Sequence, residues 1–124
     1  MTKLHRSVFL KELEAIFPEL KQELNQCDGS IHMEMSAFCD FVQQFIDTHN
    51  EKQLVRAFHF AERVLKEGNS RIVNALIVSF LEHLNFTDGK VDRAWAHALM
   101  PSALAEEHKA ILRYLEELLG PGDS

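Results

Sequence analysis

The sequence predicts an all-α fold, a compact bundle of about five to seven helices that forms one domain over residues 1–124. Apolar residues recur every three to four positions over most of the chain, which is the spacing of amphipathic helices. The three prolines and five glycines fall where these helices should begin or end. No segment alternates apolar and polar residues as a half-buried strand would. Together these observations indicate helices packed around one core.

The N-terminal half contains three predicted helices. Ser7 is expected to cap a first helix that runs to about Ile16, and Pro18 occupies a first-turn position of a short second helix, PELKQELNQ. After the break at CDGS, Ser30 can cap a long helix over residues 31–48. One face of that helix is apolar and should be buried; it comprises Ile31, Met35, Phe38, Val42, Phe45 and Ile46.

Two further long helices are predicted on either side of EGNS. The stretch NEKQLVRAFHFAERVLKEG has one apolar face and ends at Gly68 as a C-terminal cap. A central apolar helix then begins at Asn69 or Ser70 and continues to about residue 84. The pair is similar to the antiparallel hairpins of HEAT-like helical-repeat proteins. Because the two helices do not align with each other as a repeat, a solenoid is not supported.

The C-terminal third begins with the turn signal NFTDGK. The next stretch, VDRAWAHAL, is predicted to be a short helix whose inward positions are Val91, Ala94, Trp95, Ala98 and Leu99. The chain restarts at Pro101, and a last helix with Ser102 near its first turn continues to GPG. Its apolar side contains Leu104, Ile111, Leu115, Leu118 and Leu119.

The central helix RIVNALIVSFLEHLNF carries polar residues in an otherwise apolar stretch. Projection at 100° per residue places Asn74, Ala75, Val78, Ser79 and Glu82 on one narrow ridge. Such a ridge can let a neighbouring helix approach closely, or it can be a docking strip. If Glu82 is buried it must be paired with a cation. The candidate buried polar residues of the chain are Asn74, Ser79, His83 and His108.

The seven histidines do not show the spacing of a metal site. There is no HxxxH or ExxH, and the one HxxE, His59 with Glu62, falls on the solvated side of its helix. His108 projects onto the apolar face of the last helix and is expected to be a buried, hydrogen-bonded core residue. No P-loop, nucleophile elbow, dinucleotide fingerprint or calcium loop is present. We therefore expect no catalytic residues, no metal and no cofactor.

Two cysteines, Cys27 and Cys39, form neither a CxxC pair nor a disulfide framework, and Cys39 is expected to be a small core residue. The N-terminus lacks the uninterrupted apolar region of a signal peptide. No apolar run approaches the ~20 residues that span a bilayer. A reducing, cytoplasmic setting without membrane contact is expected.

The net charge of −6 argues against nucleic-acid binding, because an acidic surface repels the phosphate backbone. It is compatible with a basic protein partner. Acidic charge of this size also serves solubility alone.

Three stretches carry a resemblance: DGSIHMEMSAF, NALIVSFLEHLNF and DGKVDRAWAHALMP. They resemble a family of short, all-helical, functionally uncharacterised bacterial proteins, and the match runs from about Phe17 to Leu119. The family has no established catalytic residues to carry over. The SFLE helix is also similar to those of immunity proteins encoded beside polymorphic toxins, which implies a protein partner.

The function expected from these observations is non-catalytic protein binding, and its specific form is an immunity protein that neutralises a basic toxin domain. Two alternatives stay open: a homodimeric scaffold or interaction module, and a domain that binds a small ligand or a metal. The latter would place His108 or the ridge from Asn74 to Glu82 in a closed pocket. Residues predicted to contact a partner are Glu34, Asp40, Asp47, Glu82, Asp88, Asp92 and Arg93.

Overall fold

Apolar spacing of three to four residues produces helices in almost all of the chain that the computed structural model describes, namely residues 4–84, 87–88, 91–92 and 94–118. The predicted all-α fold is confirmed. In chain order the helices are α1 (Arg6–Ile16), α2 (Lys21–Asn25), α3 (Ile31–Asp47), α4 (Glu51–Glu67), α5 (Ser70–Ser79), α6 (Ala94–Ala98) and α7 (Ser102–Leu118). Two 3₁₀ turns occupy Pro18–Leu20 and Leu81–His83.

Two of the predicted helix starts are capped as expected. The side chains of Ser30 and Asn69 each accept a hydrogen bond from the backbone N–H three residues later, at the starts of α3 and α5. The start of α1 differs from the prediction. It begins at Arg6 with no side-chain cap, and Ser7 lies inside the first turn with its hydroxyl 3.0 Å from the Nδ1 atom of His5. The first backbone N–H groups of α1 therefore have no capping side chain within the described part of the chain.

The central apolar helix is shorter than predicted. The helix α5 ends at Ser79, and Phe80 leaves helical geometry before the 3₁₀ turn Leu81–His83 completes the segment. The ring of Phe80 stacks on that of Phe38 with centroids 4.8 Å apart, and its carbonyl accepts a hydrogen bond from the Cys39 thiol at 3.5 Å. Packing against α3 thus determines where the helix ends, although its apolar pattern continues.

The region after residue 84 contains the only two strands among the described residues. Val91 and Asp92 form a short strand, β2, that pairs antiparallel with β1 (Thr87–Asp88). The helix predicted over residues 91–99 therefore starts only at Ala94. An Asp-Gly pair is a common hairpin signal, so the turn residues of NFTDGK account for this short ladder.

A backbone bridge ties the N-terminus to the connection between α4 and α5. The N–H of Leu4 donates to the carbonyl of Glu67 at 2.7 Å, and the carbonyl of Leu4 accepts from the N–H of Asn69 at 2.8 Å. Gly68 is needed there because a Cβ atom would lie 2.6 Å from the backbone carbonyl oxygen of Val64. The bridge brings the start of α1 beside the start of α5.

The core lies where α1, α3, α4 and α5 meet, and most of the predicted inward faces line it. The largest fully buried aromatic side chains are Phe9, Phe17, Phe38, Phe58 and Phe80. The prediction for α4 omitted Phe60, which is buried against Phe9 and Phe38. Among the described residues, no helix is both long enough and apolar enough to cross a membrane.

Candidate functional site

Glu34, predicted to contact a partner, is instead buried at 1% exposure. Its two carboxylate oxygens accept hydrogen bonds from Nε and Nη2 of Arg6 at 2.8 and 2.5 Å. A bidentate pair of this kind fixes both the charge and the geometry. The prediction is wrong because the partner of Glu34 lies 28 residues away in sequence, where helical spacing cannot reveal it. Glu34 joins α3 to α1 and is not available to a partner.

The other predicted contact residues are exposed where the structure describes them. Asp40 and Asp47 lie on α3, and Glu82 lies in the 3₁₀ turn that follows α5. Because Glu82 is exposed, it needs no buried cation. Asp88 and Asp92 belong to the short strands, but their side chains lie outside the described residues, as does Arg93 entirely.

The predicted ridge on α5 divides into two parts. Ala75 and Ser79 are buried, and Ser79 contacts His32 of α3, whereas Asn74 is exposed, as is His83 in the following turn. The predicted burial of Asn74 and His83 is wrong. Asn74 lies on a side of α5 that faces solvent, and α5 ends at Ser79, before it reaches His83. The small side chains at 75 and 79 let α3 and α5 approach closely.

Ser79 connects α5 to α3 through a hydrogen bond. Its Oγ lies 3.0 Å from Nδ1 of His32, which is exposed near the start of α3. Since Nδ1 is engaged by the hydroxyl, Nε2 is the histidine nitrogen left without a partner among the described residues. The pair fixes the His32 ring between two concave surfaces described below.

His108 is buried on α7 between Leu104 and Ile111, one turn away on either side. Burial, together with the nearby charge of His97, lowers the pKa of the His108 imidazole below its usual value. The two histidine rings are 5.5 Å apart. Over the described ranges, no group of three or more His, Cys, Asp or Glu side chains is placed to hold a metal ion.

A first concave surface, which we call the basic cleft, has a volume of about 480 Å³. Its lining comes from three segments, each spanning the start of a helix: residues 5–7 at the start of α1, residues 29–32 at the start of α3, and residues 69, 71 and 72 at the start of α5. The described residues that line it include two arginines and two histidines and no carboxylate. The backbone bridge of Leu4 described above is what brings the first and third segments together.

A second concave surface, the α2–α3 groove, has a volume of about 400 Å³. Cys27, Met33 and Ala37 supply apolar surface, and Glu23 and Asp40 supply acidic groups. Met33, the one large apolar side chain among the described residues that line the groove, is 54% exposed. His32 lines both this groove and the basic cleft.

Sequence reasoning identified Asp40 but missed the residues that give these surfaces their character. Arg71 and His5 are single polar residues at helix starts and show no motif. Met33 could have been recognised, because it lies outside the predicted apolar arc of α3 and should therefore be exposed. Arg6 could not, since its role depends on the tertiary pairing with Glu34.

Comparison with known proteins assigns the chain to a family. The model of the family described as a domain of unknown function (DUF7674) matches residues 10–116, so the chain belongs to that family. The range covers most of the stretch on which the sequence resemblance was based. No match was found among curated proteins or among solved structures.

Proposed function

We propose that this member of the DUF7674 family is a non-catalytic protein-binding domain and that its partner docks in the α2–α3 groove. The observation that supports this most is Met33, a large apolar side chain exposed at 54% in a concave surface. Methionine is enriched at protein interfaces, where its flexible thioether adapts to a partner. Ala37 and Cys27 extend the apolar surface around it.

The charge around the groove indicates the chemistry of the partner. Glu23 and Asp40 border the apolar centre, and Asp47 is seven residues after Asp40 on α3. Two turns of helix separate these aspartates by about 10 Å on one face. A partner with an apolar anchor residue flanked by Lys or Arg would complement this arrangement, and the net charge of −6 would accelerate its approach.

The specific form of the proposal is an immunity protein that binds a basic toxin domain. It is supported by the resemblance of the sequence around SFLE to such proteins and by the acidic charge. The proposed setting is the cytoplasm, which agrees with Cys27 and Cys39 both being free thiols. A homodimeric module is the second candidate, for which α7 offers two exposed large side chains, Leu112 at 50% and Tyr114 at 60%, on different sides of the helix.

Site-specific photo-crosslinking tests the groove in cells that express the chain naturally. A benzophenone amino acid at position 33 should crosslink to one discrete protein rich in Lys and Arg, whereas the same group at position 112 on α7 should not. Asp40→Lys should abolish the adduct. Glu117→Lys, an equal charge change at an exposed position of α7, should preserve it. Equal adducts at positions 33 and 112, or equal losses in the two charge variants, would contradict the proposal.

The immunity form has its own test once the crosslinked protein is known. Co-expression of the wild-type chain should relieve the toxicity of that protein, and co-expression of Asp40→Lys should not. An adduct at position 33 between two copies of the chain, with a mass of a dimer in solution, would favour the homodimeric module instead.

A further inference from the structure

We infer that the basic cleft binds a small ligand through a phosphate group. The inference goes beyond the proposed docking function and concerns a different surface. None of the ten residues that line the cleft is acidic, although 19 of the 124 residues of the chain are Asp or Glu. The formal charges that line the cleft, those of Arg6 and Arg71, are both positive in a protein of net charge −6, and the charge of Arg71 is the one that no carboxylate of the described residues offsets.

Arg71 is the cation that is available to a ligand. The charge of Arg6 is already matched by the buried Glu34 carboxylate, which holds Arg6 in position. Arg71 is exposed, lines the cleft, and has no ion pair or hydrogen bond to any residue that the structure describes. A guanidinium group presents several N–H donors in a plane, a geometry that matches the oxygens of a phosphate.

Neutral polar side chains around the cleft use their oxygen atoms as acceptors within the protein, so their N–H or O–H groups can donate to a ligand. Ser30 and Asn69 use side-chain oxygens to cap α3 and α5, so the hydroxyl hydrogen of one and the amide hydrogens of the other remain for a ligand. Nδ1 of His32 is engaged by Ser79, and in the tautomer in which Nδ1 accepts from that hydroxyl the N–H donor of the ring is on Nε2. The arrangement therefore offers donors where an anion requires them.

The backbone adds to the positive potential that these side chains create. The first turn of α1 has neither a side-chain cap nor an acidic residue, and that of α5 has no acidic residue either. Acidic residues commonly complement such helix starts, and here an external anion could do so. The volume of about 480 Å³ lies within the range of small-molecule sites, so there is room for an organic group attached to the phosphate.

The test uses the full chain and inorganic phosphate as the first probe, at constant ionic strength maintained with chloride. Phosphate should raise the melting temperature saturably and shift the imidazole NMR signals of His5 and His32. The signal of His59, which lies on α4 outside the cleft, should stay unchanged. Ribose 5-phosphate should bind more tightly than phosphate if the cleft accepts an organic phosphate, and equally if free phosphate is the ligand.

Matched variants make the result specific. Arg71→Met should weaken phosphate binding about tenfold or more, because one charge-assisted contact is lost. Arg113→Met removes the same charge from an exposed position on α7 and should change the affinity less than about twofold. Equal effects of the two variants, no saturable response to phosphate, or acetate binding as tightly as phosphate would overturn the inference. Asp40→Lys should leave phosphate binding intact, so failure of the docking proposal would be distinguishable.

Discussion

Replacing Arg6 by methionine should destabilise the protein through what it does to Glu34. In the wild-type chain the Glu34 carboxylate is 1% exposed, and both of its oxygens accept hydrogen bonds from the Arg6 guanidinium at 2.8 and 2.5 Å. Without Arg6 the carboxylate remains buried with no cation and no donor from α1. A buried charge left in that state is costly because the interior cannot replace its hydration.

The expected magnitude follows from the exposure of the two partners. Two unit charges about 4 Å apart attract by about 4 kcal/mol at an effective dielectric constant near 20. Breaking a fully buried pair costs about 3–5 kcal/mol. Because the Arg6 side chain is 44% exposed, water screens part of the interaction. We expect a loss of about 2–3 kcal/mol, or about 10 °C in melting temperature for a domain of this size.

Urea unfolding followed by circular dichroism at 222 nm measures the loss. The single variants Arg6→Met and Glu34→Met and the double variant form a thermodynamic cycle, and Arg113→Met serves as an exposed control. The double variant should regain much of the stability lost in Arg6→Met, because it removes the unpaired carboxylate as well. An Arg6→Met variant within about 0.5 kcal/mol of Arg113→Met, or purely additive singles, would refute the reasoning.

Four more outcomes are expected. Because the folded state lowers the pKa of His108 below its unfolded value, the unfolded chain binds more protons below about pH 6.5, and the free energy of unfolding should fall as the pH drops through that range. Urea unfolding at several pH values should show that His108→Gln loses this pH-dependent part of the stability. Gly68→Ala should cost about 1–2 kcal/mol, since its Cβ would lie 2.6 Å from a backbone oxygen, and an unchanged urea midpoint would contradict this. Burial raises the pKa of Cys39 to about 12, so iodoacetamide at pH 8 should label it, by mass spectrometry, only after unfolding. His49→Ala should increase acrylamide quenching of Trp95, the single tryptophan, because the two rings stack with centroids 3.7 Å apart; unchanged quenching would rule out that stack in solution.

Helix positions were largely predictable because their signals are local. Ser30 and Asn69 each cap a helix with a side chain that reaches only three residues along the chain, and the structure contains both caps. The end of α5 at Ser79 was not predictable in the same way. There the apolar pattern continues, and the stacking of Phe80 on Phe38 from another helix decides the outcome.

The polar residues were harder to place because burial of a charge depends on its partner. Helical projection grouped Glu34 with candidate contact residues, yet Arg6 compensates its charge and allows it to lie in the interior. Asn74 and Ser79 share the projected ridge, but only Ser79 faces α3 and His32. A helical wheel shows which residues share a side of one helix and does not show which other helix covers that side.

The basic cleft is the extreme case of this limit, and its origin explains its charge. Each of its three segments is recognisable in sequence only as the start of a helix, a place where single polar residues are ordinary. The Leu4 bridge brings two of these starts together, and the pair between Arg6 and Glu34 holds the third against them. Three ordinary segments thereby place Arg71 and two histidines around one volume, and none of the described residues that line it is acidic. A potential of that kind is a property of the assembled fold, so only the arrangement of the helices could reveal it.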